Sequence, residues 1–416
     1  MKEINIWDLI VIGGGPAGMM AASTASESGA KVLLIEKNKD LGQKLLITGS
    51  GRCNITNAET NNHKLLAKFK NSNKFLFSAF SQWGVKETLN FFHSNGVPTK
   101  IENELRVFPV SNKAESVWTA LVEKLDTTGV IVLQKSPVTD LIISNNEIKG
   151  VIIKNGKKIY GKSIVIATGG TSRPETGSTG DAYDWLRKIG HTINEPEPSL
   201  VPLKTKEKWT KTLSGVTLQN IKITILQNQQ KQNTAKGKIL FTHIGVTGPT
   251  ILNMSKDVSE LLKYGEVTLS IDLRPDLDHG ELNFKLQEEF RENHRKKLCN
   301  TISNIIPKAI VKVVTELSNI DRETKCNSVS REDRIKIINT IKNLPIQISG
   351  LLGVDKAIIT SGGVSTDEVD FKTMRSKLHP NLYLVGDILD IDRPSGGYSL
   401  QLCWTTGFVA GKNVVR

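Results

Sequence analysis

The segment that most restricts the possible folds lies near the start. Asp8-Leu-Ile-Val-Ile12 reads as a buried parallel strand, Gly13-Gly-Gly15-Pro-Ala-Gly18 follows at once, and Met19 to Glu27 continues as a helix. Glycines spaced this way between a strand and a helix form a phosphate cradle, because each removes a different obstruction. Gly13 permits the tight turn, Gly15 leaves room for a pyrophosphate, and Gly18 lets the helix pack closely on the strand. Pro16 and Ala17 open the helix, whose N-terminus faces the anion. A second apolar run, Lys31 to Ile35, leads into Glu36 and Lys37. Glu36 lies roughly twenty residues past the glycines, where a carboxylate accepts hydrogen bonds from an adenosine ribose and disfavours a 2′-phosphate. A solvent-facing strand-end glutamate is the plainer reading of that residue.

FAD and NAD both use this unit, so the choice between them rests on three later segments. Gly42 to Asn57 carries Lys44, Ser50, Gly51, Arg52, Cys53 and Asn54 in a glycine and polar loop, longer than an ordinary connection and long enough to run under a flavin. Ser163 to Gly170 is a buried strand ending in Ala167, Thr168 and Gly169, small residues that suit a return to the adenosine side, with a plain core strand as the alternative. Asn381 to Asp387 is a strand that delivers Asp387 beside Gly386, placing a carboxylate for a ribityl or ribose hydroxyl. Gly396, Gly397, Tyr398 and Ser399 then open an apolar helix. Its N-terminal dipole would favour the negative charge that a flavin gathers at N1 and the C2 carbonyl on reduction. FAD is therefore the expected cofactor. With a single glycine fingerprint in the chain, NAD(P)H is expected only as a transient reductant, and no metal site is expected.

Charge and cysteine usage narrow the partners. Lys and Arg total 55 against 42 Asp and Glu, a net charge of +13. The basic residues are dispersed, and the densest cluster, Arg295 to Lys297, follows a Glu-rich stretch without aromatic interleaving. A solvated helix face is expected there, and a small-molecule substrate rather than a nucleic acid. Cys53, Cys299, Cys326 and Cys403 form neither a CxxC pair nor a ligand cluster, which fits reduced thiols in the cytosol. Glycines and a proline break the apolar run Leu9 to Ala22, so no signal or membrane-spanning segment is expected and the chain is read as cytoplasmic. Oligomeric state stays open.

At 416 residues more than one core is expected. The first part of an α/β Rossmann domain should occupy 1–192, with helices around Lys86 to Ser94 and Ala114 to Leu125 and a hairpin over Val138 to Tyr160; Glu195-Pro-Glu-Pro-Ser marks the exit. Residues 193–275 alternate in short strands, as a small inserted β-barrel-like domain or a sandwich would. Residues 276–342 read as a helical cap, 343–356 return through the inserted domain, and 357–416 complete the FAD-binding domain.

Over nearly its whole length the chain resembles the bacterial family of NAD(P)/FAD-dependent oxidoreductases that includes aminoacetone-oxidase-like and BaiN-type bile-acid-reductase-like flavoproteins. The resemblance rests on Ser50-Gly-Arg-Cys-Asn54, Arg106-Val-Phe-Pro-Val-Ser111, Thr176-Gly-Ser-Thr-Gly-Asp181, Phe241-Thr-His-Ile-Gly-Val-Thr-Gly-Pro249, Ser361-Gly-Gly-Val364 and Gly396-Gly-Tyr-Ser-Leu-Gln401. It implies an FAD domain split by a long insertion with a β-barrel-like part and a small helical part. Many relatives carry Gly-Glu at Gly386-Asp387 and a glycine at Arg393-Pro394. The carboxylate is thus kept, while the loop toward the substrate differs.

A bound flavin performs hydride transfer itself, so the protein need only bind, orient and supply charge. Cys53 has no partner at dithiol spacing, which favours packing or flavin contact over redox chemistry. Arg52 suits the pyrophosphate, an anionic substrate or a structural salt bridge. His243 and Tyr398 are the candidate proton donors, with a backbone hydrogen bond as the plainer role of His243. The expected activity is oxidation or reduction of a small organic substrate, an amino ketone or an enone-like compound, with NAD(P)H or oxygen as electron partner. A flavin-dependent RNA-modifying or RNA-binding protein, suggested by the charge, and a flavin-bound redox sensor are the competing readings.

Overall fold

The computed structural model describes residues 6–144 and 147–414. It divides into two compact units, Met1–Ser199 with Val354–Arg416, and Leu200–Gly353. The first contains, in chain order, strand β1 (Ile6–Ile12), helix α1 (Pro16–Glu27), β2 (Val32–Ile35), α2 (Ala114–Thr128), β3 (Ile131–Leu133), β4 (Lys158–Ile166), α3 (Asp181–Lys188), β5 (Ile193–Ser199), β6 (Ile359–Val364), β7 (Leu382–Leu384) and α4 (Tyr398–Val414). Five strands run parallel in the order β7-β4-β1-β2-β3, with Ile12 opposite both Ile35 and Ile166. Helical crossovers cover such a sheet on both faces, which is why Leu9 to Val11 and Val32 to Ile35 are continuous apolar runs, buried without alternation.

Helix α1 is buried on every side from Ala17 to Ala25, as a helix held between a sheet and a second helix must be. Its Met19 and Met20 are almost wholly enclosed, each worth roughly 1.5–3 kcal/mol of burial. The second helix is α4. A Cβ on Gly407 would lie 2.4 Å from the Ala17 carbonyl oxygen, and one on Gly411 2.5 Å from that of Ala21. This close approach brings α4 onto the helix that follows the glycine turn.

Strands β5 and β6 pair antiparallel, from Ile193 opposite Val364 to Ser199 opposite Ile359. The units therefore divide at Ser199 and Gly353 rather than near 193 and 357. Glu195-Pro-Glu-Pro-Ser, read as the exit, is strand up to the division at Ser199, and its prolines are tolerated because each strand of a two-stranded sheet has a free edge. The hairpin Val138–Ser144 and Glu147–Ile153 lies against β4; its tip, 145–146, falls outside the described residues.

In the second unit Leu203–Thr205, Thr217–Gln227, Gln230–Phe241, Gly245–Thr247, Val267–Asp272 and Leu344–Leu351 close into a six-stranded barrel, which leaves no long unpaired edge. Helices His279–Glu292, Leu298–Ile302, Lys308–Leu317 and Arg331–Lys342 share one core with it. Leu282, Ile310 and Ile337 belong to the same buried cluster as Ile223, Leu269 and Ile346. The helical segment is thus part of the barrel unit rather than a body of its own. Among the described residues no helix is long and apolar enough to cross a membrane.

Candidate cofactor and active site

A cleft opens in the first unit, lined by residues that follow the carboxyl ends of β1, β2, β4 and β7. At its centre is the glycine turn. Gly13 sits at φ +105, where an added Cβ would come within 2.5 Å of the Ala167 carbonyl oxygen, so its glycine is required for the backbone alone. Gly15 is different. Nothing stands within 4 Å of where its Cβ would be, and its φ of −79 is open to any residue. The chain leaves that volume empty beside the first turn of α1, whose internal hydrogen bonds begin with Met19 N–H to the Gly15 carbonyl at 2.9 Å. Pro16, at the first helical position, has no N–H to leave unpaired. An unfilled space at a helix N-terminus suits a diphosphate. Thr168 Oγ1 lines the same cleft, buried and without a protein partner, as a ligand-facing polar atom would be.

The end of β2 is organised by Glu36, only 7% exposed. Its Oε2 accepts from Gly14 N–H and its Oε1 from Asn38 N–H, each at 2.8 Å. The carboxylate therefore ties the glycine turn to the end of β2 while keeping lone pairs for a ligand. Lys37 Nζ donates to Thr179 Oγ1 at 2.5 Å and to Asp181 Oδ2 at 2.6 Å. It pins the segment Thr176-Gly-Ser-Thr-Gly-Asp181, of which Thr176, Gly177, Ser178, Gly180 and Asp181 line the cleft. Sequence reasoning marked this segment as a family signature and assigned it no role in the site. Its two glycines around small hydroxyl residues were the available signal.

Elsewhere the cleft wall holds a charged cluster. Asp387 and Lys44 both line it, 3.7 Å apart, and Lys44 Nζ also donates to Ser172 Oγ at 2.6 Å. Arg393, only 4% exposed, donates through Nη2 to Asp387 Oδ1, through Nη1 to the Ile391 carbonyl at 2.6 Å, and through Nε to Ser399 Oγ at 3.0 Å. Burial works to raise the Asp387 pKa, but the Arg393 and Lys44 cations outweigh it and hold the carboxyl below its ordinary range. Burial likewise pulls the Lys44 ammonium down, against the pull of Asp387. Lys44 and Asp387 are among the residues expected from the sequence; Arg393 is not, since only the fold shows an arginine wholly enclosed in a loop.

Of the expected cofactor residues, Gly13, Gly15, Pro16, Ala17, Glu36 and Lys37 line this cleft, as do Lys44, Ala167, Thr168, Gly169 and Asp387. Gly18 instead serves the packing: its Cβ would lie 1.9 Å from the Gly13 carbonyl oxygen. Gly386 donates its N–H to Thr406 Oγ1 at 3.0 Å, anchoring the Asp387 turn to α4. Ser50, Gly51, Arg52, Cys53 and Asn54 form a loop outside the lining, with Ser50 and Cys53 both at φ 60, a conformation non-glycine residues seldom hold. The fold joins this loop to the 396–401 turn. Trp404 Nε1 donates to the Ile55 carbonyl at 2.9 Å, Thr56 Oγ1 donates to Gln401 Oε1 at 2.6 Å, and a Cβ on Gly397 would collide with Thr56 at 2.3 Å. Asn57 Nδ2 reaches the Gly396 carbonyl at 3.3 Å.

Within that loop Arg52 bonds both Glu102 oxygens at 3.1 Å and stacks 4.0 Å from the Phe108 ring centre, the structural salt bridge among its three readings. Burial pushes the Cys53 thiol up to about 12, and that of Cys403, which lines the cleft, also to about 12, so neither is a thiolate at neutral pH. Tyr398 opens α4 with its ring edge-on to Phe69 at 5.9 Å. Burial first, then the neighbouring Glu59 carboxylate, raises its phenol above the usual range. His243 belongs to the barrel unit, on the turn where Thr242 Oγ1 accepts from Gly245 N–H at 3.1 Å, and its side chain is exposed.

A family model described as "HI0933-like protein Rossmann domain" matches residues 7–413. The 3-dehydro-bile acid delta(4,6)-reductase of Clostridium scindens is 29% identical over 406 residues, 97% of each chain. The ribosomal RNA dihydrouridine synthase of Escherichia coli is 28% identical over 409 residues, 98% of each. Among solved structures, 3-ketosteroid delta1-dehydrogenase from Sterolibacterium denitrificans aligns over 99% of both chains with a TM-score of 0.55 at 15% identity, a likeness of fold.

Proposed function

The chain belongs to that family of FAD-binding Rossmann oxidoreductases, and from this premise we propose that it reduces a carbon–carbon double bond conjugated to a carbonyl group. One observation carries the reading: the chain matches end to end two relatives whose names describe that chemistry on different molecules. The first name specifies a 3-keto steroid whose ring double bonds are reduced, the second a uracil whose ring double bond is saturated. Of the amino ketone and enone-like classes, the enone-like class is favoured.

When bound in its reduced form, FAD supplies the hydride, which adds to the carbon β to the carbonyl while a proton adds to the α carbon. The residues present fit that cofactor. Gly15, the first turn of α1 and Lys44 would hold the diphosphate, Glu36 the adenosine ribose, and Asp387 the part beyond the diphosphate. The strained loop 48–54 and the turn at Gly396 to Ser399 would border the flavin. His243 and Tyr398 are the candidates to deliver the proton; His243→Ala or Tyr398→Phe should keep FAD and lose most turnover. NAD(P)H is proposed as the source of electrons.

The deciding experiment reduces the FAD-loaded protein anaerobically and mixes it with a 3-keto-4-ene steroid, with a simple cyclic enone and with uridine-containing ribosomal RNA. Return of the oxidised flavin spectrum with a small enone, and one saturated product per flavin, supports the reading. Flavin that stays reduced with every enone offered overturns it.

A second reading has its own observation. The net charge of +13 and the whole-length match to a ribosomal RNA dihydrouridine synthase favour a uracil ring within RNA as the unsaturated substrate. Reoxidation by RNA alone, with dihydrouridine recovered after digestion, would establish it. No mobility shift with excess RNA at physiological salt would end it.

A further inference from the structure

The cluster at Asp387 contains one more cation than a carboxylate needs. Asp387 is flanked by Lys44 at 3.7 Å and by Arg393, which bonds its Oδ1 directly. No part of the Arg393 side chain is exposed. The nearby carboxylate of Asp390 is held by neutral donors, Asn194 Nδ2 at 2.7 Å and Gly362 N–H at 3.1 Å. Asp387 thus has two cationic partners, and a cation it does not need is costly to bury unless an anion completes it. Lys44 and Asp387 face the cleft, while Arg393 does not.

We infer that Arg393 is a positioning residue for cofactor binding: by neutralising Asp387 from behind, it leaves the Lys44 ammonium free to bind the anionic diphosphate. This rests on the FAD reading of the cleft and deepens it. Without Arg393, Asp387 would pair with Lys44 and cancel the charge the diphosphate requires. Arg393 also braces Ile391 and Ser399, so a purely structural role makes a different forecast, and the two can be separated by rescue.

The experiment measures FAD dissociation constants of the apoprotein by flavin fluorescence for the wild type, Arg393→Gln, Asp387→Asn, Lys44→Met, and the doubles Arg393→Gln/Asp387→Asn and Arg393→Gln/Lys44→Met. Arg393→Gln should weaken FAD about tenfold or more, the ordinary consequence of removing one member of a buried charge pair. Adding Asp387→Asn should return affinity to within about threefold of Asp387→Asn alone, because no carboxylate then competes for Lys44. Lys44→Met should weaken FAD strongly in the wild type and by less than about twofold in the Arg393→Gln background. Arg393→Lys, which keeps the charge but not the fork, should stay within about threefold of wild type.

Equal losses from Arg393→Gln with and without Asp387→Asn, or losses from Arg393 and Lys44 that multiply, would show a brace and overturn the inference. Should Arg393→Gln fail to fold, Arg393→Lys and the neutral Arg393→Gln/Asp387→Asn pair decide: weak binding by both overturns it. A wild type that binds no FAD overturns the cofactor reading itself, a result distinct from additive variants of a binding protein.

Discussion

Replacing Gly15 by alanine separates holding the cofactor from holding the fold. The backbone there is permissive, and a Cβ would meet no protein atom within 4 Å. Alanine in place of glycine at a helix N-cap costs some tenths of a kcal/mol to about 1, while stiffening of the unfolded chain returns about 0.4–1. These terms nearly cancel, so the melting temperature of the apoprotein should move by less than about 3 °C. The same methyl occupies the space that the diphosphate would need. Displacing an anion from the helix end removes a charge-assisted hydrogen bond worth about 1.5–3 kcal/mol, or roughly 10- to 150-fold in affinity. Gly18→Ala should behave in the opposite way, since its Cβ would lie 1.9 Å from the Gly13 carbonyl oxygen. Overpacking there should cost about 1–3 kcal/mol and lower the melting temperature of the apoprotein. Thermal denaturation by circular dichroism and FAD titration by fluorescence read the two effects. Gly15→Ala protein that folds and binds FAD as tightly as wild type would refute the reasoning, because the open space would then hold no phosphate.

Three further outcomes follow from the same geometry. Glu36→Gln cannot accept from both Gly14 and Asn38 N–H groups; it should weaken FAD about 5- to 10-fold while FMN, which lacks adenosine, changes less than twofold in a parallel titration. Arg52→Ala breaks a half-exposed pair with Glu102 and should cost less than about 1 kcal/mol of stability, with the FAD dissociation constant unchanged within about twofold. Burial lowers the His191 pKa below 6.5 against the pull of Glu368, so the unfolded chain takes up a proton there before the folded chain does. Stability should therefore fall as pH drops below 6.5, and the melting-temperature difference between about pH 7.5 and about pH 5.5 should shrink in His191→Gln.

The strand, glycine turn and acidic strand end were legible because their signals are local: an apolar run, fixed glycine spacing and a carboxylate one crossover later. The barrel was legible from alternation in Ile221 to Leu226 and Val267 to Ile271, whose inward side chains are Ile223, Ile225, Leu269 and Ile271. The domain exit at Glu195-Pro-Glu-Pro-Ser was legible, since the first unit ends at Ser199, but its strand state was not, because pairing with β6 decides it and that partner is remote in sequence. The helical segment read as a separate cap because its charged faces are visible in sequence and its apolar contacts with the barrel are not. Arg393 stood out only as a departure from the glycine of many relatives: nothing local announces that a loop arginine will be enclosed against a carboxylate, a hydroxyl and a carbonyl. The loop 48–54 and the turn at 396 were each suspected for their glycines; their joining through Trp404 and Gln401 belongs to the tertiary structure alone.

The most direct test is the identity and amount of flavin carried by the purified chain, measured by releasing the chromophore with denaturant and separating FAD from FMN. One FAD per chain, or uptake of one from added FAD by the stripped protein, is the predicted result. Colourless protein that acquires no FAD, or a chain that retains FMN instead, would contradict the assignment of the Gly15 space to a dinucleotide.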